Sequence, residues 1–569
     1  MEFTPTVTHA CRTVMMEADT NRRLVTSWLV LWFALAVVVR QSSGQDESNP
    51  LFWKTEGHDE LVAAIRATEH NTNRAEAVIL FIGDGLSVPT LTAARIFKGQ
   101  QQGKPGEETI FSFEQFPHLG YSKTYNTNSQ VSDSAGTATA YLSGVKTKRR
   151  LVGLDAGANA TMCQPTTMSH GVDSILKLAK EAGMAVGVVT TTSVTHATPA
   201  AAYAHTPERN WEASVPAEER PAGCTDIALQ LIESDFDIDV VMGGGRGMFT
   251  PNTTQDPEVT TLSGIRTDGR NLIDEWKARY RQKGTAEYVW NQAEFDRVDP
   301  WTTDYLLGLF DFNHMHFAAD RPQDVAGEPS IAEMTEKAIR ILQRKNNRFF
   351  LFVEGGRIDH GNHLNTGYDA LTDTIALDEA VHRSLELTGD DTLIVQTADH
   401  GHTLSIAGYP PRGHKILDKI FSDDRGLPYT TLGYANGPFS YLVSSSLTGT
   451  GERPNITNVN TAGPKYTQQS LVLSLFESHG GEDVAIFARG PMSHLFHTVH
   501  EQHYIMHVMQ YAACIGDYHN RCHTVDPTVG VPEKTPTSAC AVPGGVPGLA
   551  AISVAAVQFI NHLLINFTK

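Results

Sequence analysis

Six short apolar runs recur along the chain, at Ala77–Ile82, Val186–Thr190, Val240–Met242, Phe349–Val353, Leu393–Gln396 and Val484–Phe487. Runs of this length with almost no polar interruption suit strands covered on both faces, as in a parallel sheet. Stretches with helical spacing lie between them, for example Gly171–Glu181 and Ser330–Gln343. Buried strands alternating with helices predict an α/β fold, a central and mostly parallel sheet with helices on its faces. The segments 256–320 and 405–466 are richer in Gly, Pro, Asn and Thr, and they read as insertions or loops.

Polar residues at the ends of these runs sharpen the picture. Asp84 follows the first run, Glu354 closes Phe349–Val353, and Asp399 with His400 closes Leu393–Gln396. Ligands of open α/β sheets bind outside the carboxyl ends of the strands. A lone strand-end Asp is more often a turn or a helix cap. Three ends that bring carboxylates and an imidazole to one edge point instead to metal chemistry. If the chain is helical after Arg357, Asp359 and His363 share one face four positions apart. An isolated pair of that kind is usually a surface ion pair, but beside Glu354 and Asp399-His400 it suits zinc and magnesium together. Ser134 is followed by Ala-Gly-Thr-Ala-Thr-Ala, small residues that allow a helix to start at a nucleophile. A helix N-terminus favours bound phosphate, and no Gly-x-Ser-x-Gly signature surrounds the serine.

Composition narrows the partners. The 569 residues are 41% hydrophobic and carry 64 acidic against 45 basic residues, a formal charge of −19. Nucleic acid demands a basic face and is excluded as the main partner. A phosphorylated small substrate is not, because bound dications reverse the local field.

Both ends read as targeting signals. Arg22-Arg23 precede an apolar run from Trp28 to Val39 and a polar Gln41-Ser-Ser-Gly44, too short for a span and suited to a signal peptide over 1–44, cleaved near 43–45. Small residues at Ser538–Ala541, followed by an apolar tail to Phe567, have the layout of a GPI-attachment signal over 541–569. Of six cysteines, Cys11 lies in the leader. Cys514 and Cys522 are close enough to close a short loop, Cys163 and Cys224 would then form the longer bridge, and Cys540 is left over. Disulfides and the sequons at Asn159, Asn252 and Asn455 fit an oxidising, secretory route.

Four motifs in order resemble animal alkaline phosphatases: Asp133-Ser134-Ala-Gly-Thr-Ala-Thr-Ala, Val353-Glu-Gly-Gly-Arg-Ile-Asp-His, Thr397-Ala-Asp-His and His479-Gly-Gly-Glu-Asp-Val-Ala. The resemblance runs from about Trp53 to Cys522. It implies one catalytic domain over 45–540, with a small crown-like subdomain inserted beside the main sheet. It implies hydrolysis of phosphate monoesters through phosphoserine at Ser134, with two zinc ions and one magnesium. Asp359, His363 and His479 would hold the first zinc, and Asp84, Asp399 and His400 the second. Asp84, Thr198 and Glu354 would hold magnesium. Arg209 matches the arginine that clamps the substrate phosphate, and Asp133, His196 and His360 match residues just outside the ligands. A calcium site would map to Glu258, the carbonyl of Phe310, Asp311 and Glu328. The family's two disulfides fall at Cys163–Cys224 and Cys514–Cys522. A GPI-anchored homodimer on the outer cell surface is implied as well. A phosphodiesterase or sulfatase of the same fold class would lack Arg209 with the third metal site. A catalytically silent receptor would have lost ligands, and every expected ligand is present.

Overall fold

The computed structural model of the chain describes residues 70–421, 426–439, 454–520 and 522. The signal peptide, the GPI signal, Cys11 and Cys540 lie outside them. No helix among the described residues is long and apolar enough to cross a membrane.

One ten-stranded sheet organises the rest. Its strands are β1 (Ala77–Gly83), β2 (His118–Lys123), β3 (Ala185–Ser193), β4 (Val240–Gly244), β5 (Ala286–Val289), β6 (Tyr305–Leu309), β7 (Phe349–Gly355), β8 (Thr392–Ala398), β9 (Val484–Arg489) and β10 (Thr498–Glu501). They lie in the order β10-β2-β9-β8-β1-β7-β3-β4-β6-β5. β1 explains why the apolar runs lack alternation. Val78, Leu80 and Ile82 enter one core with Tyr141 and Val508, while Ile79 and Phe81 enter the other with Leu371, Leu377 and Val381. Each such side chain contributes about 1.5–3 kcal/mol on burial, so both faces of the strand reward apolar residues.

Two departures from the sequence pattern have plain causes. β9, expected to be parallel, runs antiparallel to both β2 and β8, because a run buried on both faces carries no record of its direction. The segment 256–320 is not all loop, since β5 and β6 extend the sheet at its far edge. The described residues of 405–466 contribute strands to a small three-stranded sheet and a two-stranded ribbon, outside the ten-stranded sheet. The helix expected over Gly171–Glu181 is Ile175–Glu181, because the Ser174 side chain caps it by accepting from Lys177 N–H. Ile331–Lys345 opens on a capping box between Ser330 and Glu333.

Candidate active site

The register of three central strands sets the height of the site. Gly83 of β1 lies opposite Gly355 of β7 and Ala398 of β8. Asp84, Glu354 and Asp399 therefore emerge at one level, all fully buried. The helix Arg357–His363 follows β7 and carries Asp359, His360 and His363. The two-residue strands His479–Gly480 and Gly401–His402 pair antiparallel, which brings His479 over the end of β8.

Ser134 is the first residue of the helix Ser134–Ser143, buried along its whole length. Asp133 caps it, accepting from Gly136 N–H at 3.2 Å and giving its own N–H to Asn126 Oδ1. A Cβ on Gly136 would lie 2.3 Å from Asn126 Nδ2, so the small residues let this turn close. Ser134 Oγ stands 3.2 Å from His400 Nε2. Arg209 reaches the same turn, with Nη1 3.4 Å from Asp133 Oδ2 and Nη2 3.1 Å from His196 Nε2.

Three ligand-type atoms form a triangle above β7. His363 Nε2 and His479 Nε2 are 3.1 Å apart, and each is 3.4 Å from Asp359 Oδ1. Both rings donate Nδ1–H to backbone carbonyls, His363 to Glu477 at 2.5 Å and His479 to Ser132 at 2.8 Å. With both Nδ1–H groups spent on carbonyls, the facing Nε2 atoms turn their lone pairs toward each other, an arrangement that a shared cation satisfies. Four ligands around an ion with bonds of about 2.1 Å stand about 3.4 Å apart in a tetrahedron, which matches this triangle.

Asp84, Asp399 and His400 form a second convergence. His400 Nε2 lies 3.1 Å from Asp399 Oδ2 and 3.6 Å from Asp84 Oδ1. Asp399 Oδ1 is held by Gly85 N–H and His400 N–H. A third groups Asp84, His196 and Glu354, with Thr198 Oγ1 3.5 Å from Asp84 Oδ2. Glu354 Oε2 accepts from Thr190 and Thr192. Asp84 Oδ1, Glu354 Oε1, His196 Nδ1 and His400 Nδ1 are buried without a hydrogen-bond partner. Native interiors rarely leave such atoms unpaired.

The electrostatics point the same way. Burial, and then the neighbouring charges of Asp399, Asp359 and Glu354, push the Asp84 carboxyl well up. Burial lifts Glu354 to about 7 and Asp399 to about 6. Asp359 is buried too, yet His363, His402 and His479 hold it well below the usual carboxylate range. Burial, joined by Arg209 for His196, by Arg357 for His360 and by His479 for His400, keeps these three imidazoles neutral. A pocket of crowded carboxylates and neutral imidazoles fits dications.

The sequence pattern did not single out His402 or Glu477. His402 Nε2 meets Asp359 Oδ1 at 2.8 Å, and Nδ1 meets Glu477 Oε2 at 2.5 Å. Burial opposes its charge, but Glu477 and Asp359 raise it to about 10. The signal was the second imidazole in Asp399-His400-Gly401-His402. His314 was missed as well; it accepts from Ser193 N–H through Nδ1 and lies edge-on to His196.

Of the expected calcium ligands, Asp311 and Glu328 converge with His316. Glu258 instead pairs with the buried Arg246 at 2.8 Å. Both expected disulfides are present, and Asn159, Asn252 and Asn455 are exposed.

A buried serine at a helix start, beside an arginine and a nest of strand-end carboxylates and imidazoles, has the groups that a metal-assisted phosphate ester hydrolase needs. The family profile described as Alkaline phosphatase matches residues 75–515, and the chain belongs to that family. It is 46% identical over 500 residues to the tissue-nonspecific alkaline phosphatase isozyme of Felis catus, covering 86% of this chain and 94% of that protein. It is 47% identical over 480 residues to an alkaline phosphatase of Gadus morhua, covering 83% and 98%. The fold is shared with the crystal structure of Thermus thermophilus alkaline phosphatase, at TM-score 0.55 and 24% identity over 79% of this chain and 93% of that one.

Proposed function

We propose that this phosphomonoester hydrolase works through a phosphoserine at Ser134, in a site built for two zinc ions and one magnesium. The single observation that carries the reading is the triangle of Asp359, His363 and His479, with its two facing acceptor nitrogens. These three would hold one zinc, Asp84, Asp399 and His400 the other, and Asp84, Thr198 and Glu354 the magnesium. When bound, such ions lower the pKa of a hydroxyl nucleophile and neutralise a leaving oxygen.

The chain's own groups do the rest. Asp133 fixes the turn so that Ser134 Oγ points at the strand ends. Oγ forms the new bond to phosphorus as the alcohol departs, and water later cleaves the phosphoserine to release inorganic phosphate. Arg209, steered by Asp133 and His196, offers a planar fork to two phosphoryl oxygens. N–H groups of the first helical turn favour the same charge. Nothing in this scheme grips the alcohol, so broad monoester specificity follows.

The test is hydrolysis of p-nitrophenyl phosphate from pH 6 to 11 by wild type, by Ser134→Ala and by chelated protein restored with zinc and magnesium. Alkaline activity that vanishes with Ser134→Ala and returns only with both metals is expected. Full activity in Ser134→Ala would sink the phosphoserine reading.

A homodimer on the outer cell surface, attached through a GPI lipid, completes the proposal. The dimer is supported by exposed apolar residues Leu471, Val472, Leu473, Leu475 and Phe476 along and after the strand Ser470–Leu473, since such patches mark association surfaces. Light scattering that gives a monomer's mass would refute it. The anchor rests on the C-terminal sequence pattern. Phospholipase release from cells tests it, and protein that stays on the membrane contradicts it.

A further inference from the structure

Arg150 stands in the left-handed region at φ +74°, which a residue with a side chain holds only where its surroundings over-determine it. Three contacts do so here. Val152 and Thr206 form an antiparallel bridge, exchanging N–H···O bonds of 3.0 and 2.9 Å. Two positions further along each segment, Arg150 and Glu208 face each other across that bridge. Arg150 Nε donates to Glu208 Oε2 at 2.7 Å and Nη2 to Oε1 at 2.6 Å. The Arg150 backbone N–H goes to Asp133 Oδ2 at 3.0 Å, the same oxygen that faces Arg209 Nη1 at 3.4 Å.

Glu208 immediately precedes Arg209 in the chain, and both arginines meet at Asp133. Glu208 is only 6% exposed, and its Oε1 also accepts from Asn210 N–H at 3.0 Å. The carboxylate is thus fixed on both sides of Arg209. A buried carboxylate that loses its counter-ion is strongly destabilising. Without Arg150, the adjacent guanidinium of Arg209 would be the cation to replace it, and such a pair would draw that fork off a bound phosphate. The two parallel bonds from Arg150 are the strong, bidentate form of arginine–carboxylate contact, and they leave Glu208 satisfied. Neither residue belongs to the groupings of carboxylates and imidazoles that suit metal ions.

We propose that Arg150 is a positioning residue for phosphate binding: by occupying Glu208, it keeps the fork of Arg209 free for the phosphoryl oxygens. That role rests on the reading of Arg209 as the phosphate clamp. It also gives the strained turn a use, since in that conformation one residue gives its N–H to Asp133 and its side chain to Glu208.

The test measures how inorganic phosphate inhibits p-nitrophenyl phosphate hydrolysis by the full enzyme supplied with zinc and magnesium. The variants are Arg150→Gly, Glu208→Gln, the two together, and Arg209→Ala. Glycine is at ease at a positive φ and keeps the N–H to Asp133, so Arg150→Gly removes the side chain and spares the turn. Its inhibition constant for phosphate is expected to rise about tenfold, the scale of one hydrogen bond to a charged group, and KM to rise with it. Glu208→Gln alone and the double variant should both stay near the wild-type constant, because neither presents an unpaired carboxylate. A wild-type constant in Arg150→Gly overturns the proposal. So does a double variant as weak as Arg150→Gly, since loss of a merely structural brace is not repaired by Glu208→Gln. Arg209→Ala separates the two readings. If it weakens phosphate binding and Arg150→Gly does not, only the role of Arg150 falls. If it leaves the constant unchanged, the clamp reading falls and the role of Arg150 with it.

Discussion

Gly85 makes room for His402. A Cβ at Gly85 would lie 2.4 Å from both Cδ2 and Nε2 of the imidazole, and Gly85 itself sits at φ +70°. The strand-end turn that delivers Asp84 is therefore also the wall against which His402 rests. Gly85→Ala is expected to push the ring off Asp359 and to strain the backbone. Activity should fall at limiting zinc and partly recover at high zinc. An alanine variant with wild-type zinc dependence would refute this coupling.

His402 and Glu477 hold Asp359 without being among the proposed ligands. Groups of this kind typically change metal affinity about 10–100-fold when lost. His402→Ala and Glu477→Gln should each release zinc faster under chelation, with Ser134 and Arg209 unchanged. Timed loss of activity in a chelator reads the effect directly. Release rates equal to wild type would remove the positioning role.

A pH effect belongs to a different part of the molecule. His118 is buried at the start of β2, its Nδ1 2.8 Å from His497 Nε2. Burial, reinforced by His497, His494 and His70, lowers its pKa to about 4, against an ordinary value of about 6.5. Below about pH 6.5 the unfolded chain takes up this proton and the folded one does not, so stability falls as pH drops toward 4. His118→Phe should reduce, without abolishing, the fall in melting temperature between pH 7 and 4.5, since His196, His360 and His400 add to the same slope. A variant with the same acid-side slope as wild type would exonerate His118.

Much of the site was legible because its residues stand at strand ends, where an apolar run gives way to Asp, Glu or His. Asp84, Glu354 and Asp399 could be placed at one edge from that rule alone, and the register of β1 with β7 and β8 is its physical basis. The spacing of Asp359 and His363 survived for the same reason, since a helix of seven residues keeps both on one face. Direction and long-range choice were not legible. Nothing in Val484–Phe487 records that β9 runs backwards. Nor does Glu258 reveal that Arg246 will claim it, because that ion pair depends on where two loops meet. His402 was overlooked for a related reason: its role is set by Glu477, 75 positions away.

The sequence distance spanned by the site has a consequence for how the enzyme matures. His479 is oriented by the carbonyl of Ser132, 347 positions earlier, and it supplies one corner of the triangle with Asp359 and His363. A growing chain lacks that corner until nearly the whole catalytic domain has been synthesised. A metal ion held by all three corners, as proposed, could therefore be captured tightly only at the end of folding, once residues 347 positions apart have met.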